Sequence, residues 1–189
     1  MVSDAARLEL LRRFGGTYLD LDSLTLRPLP AHDNYLARLL GDVISNAVLS
    51  FQPRHELVQK MVEDIPARWN LLKYTSIGAD LLTHHLHLHC HNTSTSSTST
   101  PKTCRDVTVF PGALFFPFVS GGEGMDIFAQ DLGYGTEFVR SFAGYSLHLY
   151  NHLTERVAVD LSRESVVREV AVRHCPEVVK VLVQRGVYM

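Results

Sequence analysis

Leu8, Leu10, Leu11 and Phe14 recur at near-helical spacing, with Arg12 and Arg13 between them, and predict a short amphipathic helix. Gly15 follows the last periodic residue, where a left-handed C-cap favours glycine, and the two arginines suit the carbonyl end of the helix dipole. Beyond Gly16 the period drops to two. Tyr18, Asp20 and Asp22 face one way and Leu19 and Leu21 the other, as in a strand that buries its leucines. The chain leaves this strand through Arg27-Pro28-Leu29-Pro30, where regular pairing ends. Val43 to Phe51 reads as a buried strand whose one conspicuous polar residue is Asn46, a side chain that backbone can satisfy locally.

A second helix opens around Pro53-Arg54-His55-Glu56. Its apolar positions are Leu57, Val58, Met61, Val62 and Ile65, Pro66 is expected to end it, and His55 and Glu56 are expected as surface residues of its first turn. His84-His85-Leu86-His87-Leu88-His89-Cys90-His91 reads as a polar helix end entering a loop. Val107 to Phe110 is a short strand, and Phe115, Phe116 and Phe118 after it are core aromatics. Ser146 to Asn151 reads as a last strand, with His148 among apolar neighbours. Val166, Val167, Val170, Val178, Val179, Leu182 and Val183 then predict two short amphipathic helices separated near Cys175-Pro176.

At 189 residues and 46% hydrophobic, the chain is long enough for one domain with a sizeable core. A net charge of −2 offers no basic field to nucleic acid or an anionic membrane. No apolar run is long enough to span a bilayer, and Met1-Val2-Ser3-Asp4 is not a signal peptide. Cys90 and Cys104 bracket a Ser/Thr-rich loop and can pair in an oxidising compartment, leaving Cys175 without a partner in the chain; three reduced thiols are the alternative. Asn92-Thr93-Ser94 in that loop is an N-glycosylation sequon. The glycine-rich stretch 120–124 lacks the lysine and strand-to-helix setting of a phosphate loop.

The chemistry concentrates at the first helix and strand. Asp4 and Arg7, three apart, share one helix face. Asp20 and Asp22 repel unless a cation sits between them, and hard oxygen ligands in this arrangement suit Mg²⁺ or Mn²⁺ carrying substrate phosphates. The histidine tract invites a zinc reading, but its alternating spacing has no matching second ligand pair.

The run Ser3-Asp4…Arg7…Gly15-Gly16-Thr17-Tyr18-Leu19-Asp20-Leu21-Asp22 resembles the Ser-Asp-x-x-Arg…Gly-Gly-x-Tyr-x-Asp-x-Asp signature of glycosyltransferases with a DXD sugar-binding motif. More closely, it is similar to the family of α-1,4-galactosyltransferases and α-1,4-N-acetylglucosaminyltransferases. The resemblance runs from Ser3 to about Val183 and implies an α/β, GT-A-type (Rossmann-like) domain lacking its N-terminal nucleotide-binding strands. It would be one partial catalytic domain: 1–88 the DXD region, 89–106 the polar loop and 107–189 the C-terminal region.

The resemblance implies a retaining, metal-dependent hexosyltransferase. It would move galactose or a related sugar from a UDP-sugar to a glycolipid or glycan acceptor in α-1,4 linkage. By the same resemblance Asp4, Arg7, Tyr18, Asp20 and Asn46 hold the donor sugar, and Asp20, Asp22 and His148 hold Mn²⁺ or Mg²⁺; no catalytic nucleophile is named. The setting would be the Golgi, reached through a membrane anchor outside this sequence. The chain departs from the family at Ser76-Ile77, where relatives carry His-Gln, at Ala79 in place of proline, and at Tyr150 in place of the tryptophan of a His-x-Trp-Asn motif. Ile77 offers no hydrogen bond to a sugar. The alternative reading is therefore a silent relative that binds sugar nucleotide, glycan or a partner enzyme without turnover.

Overall fold

The computed structural model describes residues 1–90, 99–118 and 126–186; the sequon at Asn92, His91 and the stretch 120–124 lie outside them. Helix α1 (Val2–Phe14) is followed by strands β1 (Gly16–Leu19), β2 (Ser23–Thr25), β3 (Tyr35–Leu40) and β4 (Val43–Phe51). Helices α2 (Glu56–Arg68) and α3 (Ala79–His89) come next, then strands β5 (Lys102–Cys104) and β6 (Val107–Phe110). The remainder is α4 (Gly135–Ser141), β7 (Ser146–His148), α5 (Asn151–Thr154), α6 (Val166–His174) and α7 (Pro176–Arg185).

The fold is mixed α/β. One five-stranded sheet has the order β1-β4-β3-β6-β5, parallel between β3 and β6 and antiparallel elsewhere. The pair β2-β7 forms a separate antiparallel sheet, with Ser23 opposite His148. Leu8, Leu11, Leu36, Leu49, Phe51, Leu57, Met61, Ile77 and Leu81 form the core between α1, α2, α3 and one sheet face. Tyr35, Ala37, Val48, Phe110, Phe115 and Phe116 cover the other face. Ile127, Leu147, Val159, Leu161, Val166, Val170 and Val179 close a third cluster around α6 and β7.

Several local expectations change in this frame. The first strand ends at Leu19. Asp20, Leu21 and Asp22 form a turn closed by a 3.1 Å bond from the Ser23 N–H to the Asp20 carbonyl, so Leu21 is fully exposed rather than buried. Strand β3 is not among the predicted elements. It lies in the middle of the sheet with both faces covered, and such a strand shows no apolar–polar alternation.

Helix α2 carries Pro66 inside its last turn and continues to Arg68, because a proline so close to the end costs only the bond from its missing N–H. His55 is buried, not a surface residue: its Nδ1 accepts the Leu57 N–H (3.2 Å) at the start of α2, and its Nε2 lies 3.0 Å from Asp106 Oδ2. The histidine tract is helical through His89. His85 and His89 are buried against Asp64 (2.9 Å) and Asp106 (3.1 Å), which accounts for polar residues on an inward face. Cys90, directly after α3, is disulfide-bonded to Cys104, and Cys175 is exposed and free. The segment predicted as a last strand to Asn151 is shorter. After His148 the chain turns through a left-handed Tyr150 (φ 51°, ψ 47°) into α5.

Candidate functional site: a carboxylate–imidazole cluster at the end of the sheet

Helix α1 reaches the sheet because Gly15 lets it. Gly15 takes φ 65° and ψ −160°, a positive-φ cap with a more extended ψ than the left-handed one expected, and its N–H returns to the Leu11 carbonyl (2.9 Å). A Cβ there would come within 2.6 Å of Pro53. The turn directs Tyr18 of β1 back over α1, where the Arg7 guanidinium carbon stacks 4.4 Å from its ring centroid.

Arg7 organises the neighbourhood. It is buried, and it donates through Nη1 to the Asn46 carbonyl (2.6 Å) while lying 3.0 Å from Asp20 Oδ1; Nη2 lies 3.2 Å from Asp4 Oδ1. That same Asp4 oxygen accepts the Asn46 side-chain N–H at 2.7 Å, which settles the flip of the amide. The partner of Asn46 is thus 42 positions away in the chain rather than local backbone. Asp20 Oδ1 also accepts the Tyr18 hydroxyl (2.6 Å), and the Asp20 N–H extends the β1–β4 pairing to the Ala47 carbonyl (2.9 Å). Burial penalises the Asp20 charge, but the His148 ring, the Tyr18 hydroxyl and the Arg7 guanidinium outweigh it and hold the carboxyl below its ordinary range. Burial beside Asp20 pushes the Tyr18 phenol up.

Asp22 is placed by the second sheet. Its carbonyl accepts the Leu149 N–H (2.8 Å), and its Oδ2 accepts the Asn151 N–H (2.8 Å) at the first residue of α5. His148, opposite Ser23 on β7, is wedged between the Phe116 and Tyr150 rings, with centroids 5.7 Å and 4.4 Å away. Its Nδ1 accepts the Tyr150 N–H (3.1 Å), so a neutral ring carries its proton on Nε2. Nε2 lies 3.3 Å from Asp22 Oδ1 and 3.6 Å from Asp20 Oδ2. It is buried, and neither contact has hydrogen-bond geometry, so the attraction is electrostatic only.

Ligand atoms of Asp20, Asp22 and His148 all lie within 4.8 Å of one another. Among the described residues no Lys or Arg pairs with Asp22; its carboxylate meets the Asn151 N–H at Oδ2 and the buried imidazole nitrogen beside Oδ1. Two carboxylates and an orphaned ring nitrogen fit a hard divalent cation, with the Nε2 proton displaced when one binds. Asp64, His84 and His85 also bring ligand atoms within 4.8 Å. There Arg68 and His85 already pair with Asp64 Oδ2, and the carboxylate charge is balanced internally.

The structure thus gathers Asp4, Arg7, Tyr18, Asp20 and Asn46 into one network and brings Asp22 and His148 to its edge. Ile77 is in the core, fully buried, and cannot face a ligand at this site. Two contributors escape sequence reasoning. Asn151 acts on Asp22 through its backbone N–H, which any residue supplies. Gly78 packs so closely that a Cβ would come within 2.6 Å of the Asn46 side-chain nitrogen. Gly78→Ala is therefore expected to push the Asn46 amide off Asp4 and to destabilise the fold by about 1–3 kcal/mol, measured by urea denaturation. A variant as stable as the parent, with Asn46 unmoved, would remove Gly78 from the site's construction.

Comparison with known proteins gives these contacts a context. The chain is 28% identical over 184 residues to human α-1,4-N-acetylglucosaminyltransferase, covering 96% of this chain and 52% of that protein. It is 27% identical over 176 residues to rat lactosylceramide 4-α-galactosyltransferase, covering 93% and 48% respectively. It therefore spans about half the length of these curated relatives. No solved structure matches it. Residues 50–182 match the sequence profile described as the α-1,4-glycosyltransferase conserved region, a stretch that carries Gly78 and His148 and begins after Asp20 and Asp22. The chain belongs to the α-1,4-glycosyltransferase family.

Proposed function

We propose that this chain forms the donor-binding part of a GT-A-type, retaining hexosyltransferase that moves galactose from UDP-galactose to a glycolipid or glycan acceptor in α-1,4 linkage. One observation carries the reading: in a member of this family, Asp20, Asp22 and His148 converge within 4.8 Å at the edge of a network built on Arg7. These three residues would hold Mn²⁺ or Mg²⁺. Such a cation neutralises the charge that develops on the departing UDP diphosphate.

The remaining residues orient and exclude. The Asn151 and Leu149 N–H groups hold Asp22 at the cluster. Tyr18 and Arg7 fix the Asp20 carboxylate in its charged form. Asp4 and Arg7 are too buried to reach a sugar freely, and in this reading they set the Asn46 amide and Asp20 as the groups that meet the donor's hydroxyls. In a same-face transfer the bond from the anomeric carbon to UDP breaks as the bond to the acceptor oxygen forms. The acceptor proton passes to the departing phosphate oxygen, so no protein nucleophile is required. The Cys90–Cys104 disulfide suits an oxidising lumen such as the Golgi. Among the described residues no helix is long and apolar enough to cross a membrane.

UDP release from UDP-galactose and UDP-N-acetylglucosamine, with a lactose-terminated acceptor, tests the proposal. Removing divalent metal with a chelator should lower release by about 10² or more, and Mn²⁺ should restore it. Mn²⁺-dependent UDP binding with no release from either donor would assign the chain a binding role only. Neither binding nor release would refute the cation site.

A further inference from the structure

The cross-strand pair of Ser23 and His148 carries two buried polar atoms that no described residue hydrogen-bonds, Ser23 Oγ and His148 Nε2. The Leu149 N–H donates to the Asp22 carbonyl (2.8 Å), a bond that flanks the pair rather than joining it. Ser23 and His148 are therefore a non-hydrogen-bonded pair, the closer kind, with Cα atoms about 4.5 Å apart and both side chains on one face of the ribbon. Leu24 and Leu147 take the opposite face, in the apolar cluster around α6. The hydroxyl thus lies on the side that carries the imidazole, one residue after Asp22.

Other buried hydroxyls nearby show what a structural role looks like. Ser146, on the same face two positions before His148, donates to the Phe115 carbonyl (3.4 Å), and Thr154 of α5 donates to the Leu149 carbonyl (2.7 Å). Ser23 Oγ has no such acceptor. The Ser23 N–H closes the turn on the Asp20 carbonyl (3.1 Å), but any residue except proline supplies that bond, so the turn does not account for a hydroxyl here. A buried hydroxyl without a partner destabilises the fold. A second orphaned atom beside it, on the ring that faces both carboxylates, points to a shared ligand.

We propose that the Ser23 hydroxyl is a fourth protein ligand of the Asp20–Asp22–His148 cation site. The proposal rests on the cation reading given above and extends its ligand set. Three oxygens and one imidazole nitrogen suit Mn²⁺ or Mg²⁺, and in a shell of about six ligands they leave two positions for diphosphate oxygens. A hydroxyl serves through its lone pair and keeps its proton, so Ser23 adds a ligand without adding charge.

Mn²⁺ binding to the intact chain, read from the electron paramagnetic resonance signal of free Mn²⁺, tests this without turnover. Ser23→Ala keeps the backbone N–H and should weaken Mn²⁺ binding by about tenfold or more. Its melting temperature in chelator should stay level or rise, because an unpartnered hydroxyl is gone. Ser23→Cys places a soft donor in the shell, so Zn²⁺ should displace Mn²⁺ at a concentration about tenfold lower than in the parent. Parent-like Mn²⁺ affinity in Ser23→Ala overturns the proposal. So does a lowered melting temperature in chelator, which would make the hydroxyl structural, and so does an unchanged Zn²⁺ midpoint in Ser23→Cys. Asp22→Asn in the same titration separates the two readings. Binding lost there but kept in Ser23→Ala leaves the cation site standing without Ser23, whereas a parent chain that binds no Mn²⁺ refutes the site and the proposal with it.

Discussion

Asp22→Asn is expected to lower the proposed Mn²⁺-dependent UDP release by about 10²–10³-fold and to leave the fold in place. Asparagine keeps a carbonyl oxygen that can still accept the Asn151 N–H now bonded to Asp22 Oδ2, and the side chain is a quarter exposed, so little packing is lost. What disappears is the charge that no lysine or arginine balances among the described residues. The deficit should appear as a higher Mn²⁺ requirement at unchanged thermal stability. Mn²⁺ titration of turnover, run beside a melting curve, separates the two effects. If the variant turns over at the parent rate and the same Mn²⁺ midpoint, Asp22 is not a metal ligand.

Arg7→Met has its largest effect on stability. The guanidinium is shared among Asp4, Asp20, the Asn46 carbonyl and the Tyr18 ring, all on the helix-covered side of the sheet. Removing one partner from a buried ionic network leaves uncompensated charge and costs about 3–5 kcal/mol. Asp20 is partly exposed and can recruit water, so the lower end of that range is expected, with a fall in Tm of about 6–12 °C. Arg7→Lys should recover only part of the loss, because a point charge cannot serve three acceptors as a planar fork does.

The pH dependence follows from the lowered Asp20 pKa. Its contribution is present above the unfolded carboxylate value and is lost as pH falls through the folded one, and without Arg7 that acid limb should become shallower. Urea denaturation across pH checks both statements. A loss below about 0.5 kcal/mol, the ordinary scale of a surface substitution, would mean that Arg7 does not hold the network together.

Much of this arrangement is legible from residue types and spacing. The 3.6 period places α1, α6 and α7, the change of period after Gly16 marks the start of β1 though not its end, and the apolar runs mark β4 and β6. They do so because each buries one helix face or a whole strand in a hydrophobic cluster. The pairing of Asp4 with Arg7 follows from three-residue spacing on a helix. What fails is instructive. Central strand β3 is covered on both faces, with even Arg38 buried, and so shows no apolar–polar alternation to read. The Asp20–Asp22 segment alternates like a strand, yet the Ser23 N–H closes it into a turn. Alternation states which side chains agree with one another, not whether a neighbouring strand is there to pair with.

The residue types of the cluster, the glycines at 15 and 78 and the histidine at 148 are fixed by covalent order, and local propensity is enough to put Asp4 and Arg7 on one helix face. Tertiary structure alone decides that Asn46 meets Asp4, that His55 and His89 share Asp106, and that Ile77 turns inward. It also decides that His148 arrives beside Asp20 and Asp22 through the β2–β7 pairing, from well over a hundred positions away. The physical reason is the range of the interactions. Helix faces and caps are settled by groups within four residues, whereas a buried charge is stable only where the fold delivers its partner, and that partner can lie anywhere in the chain.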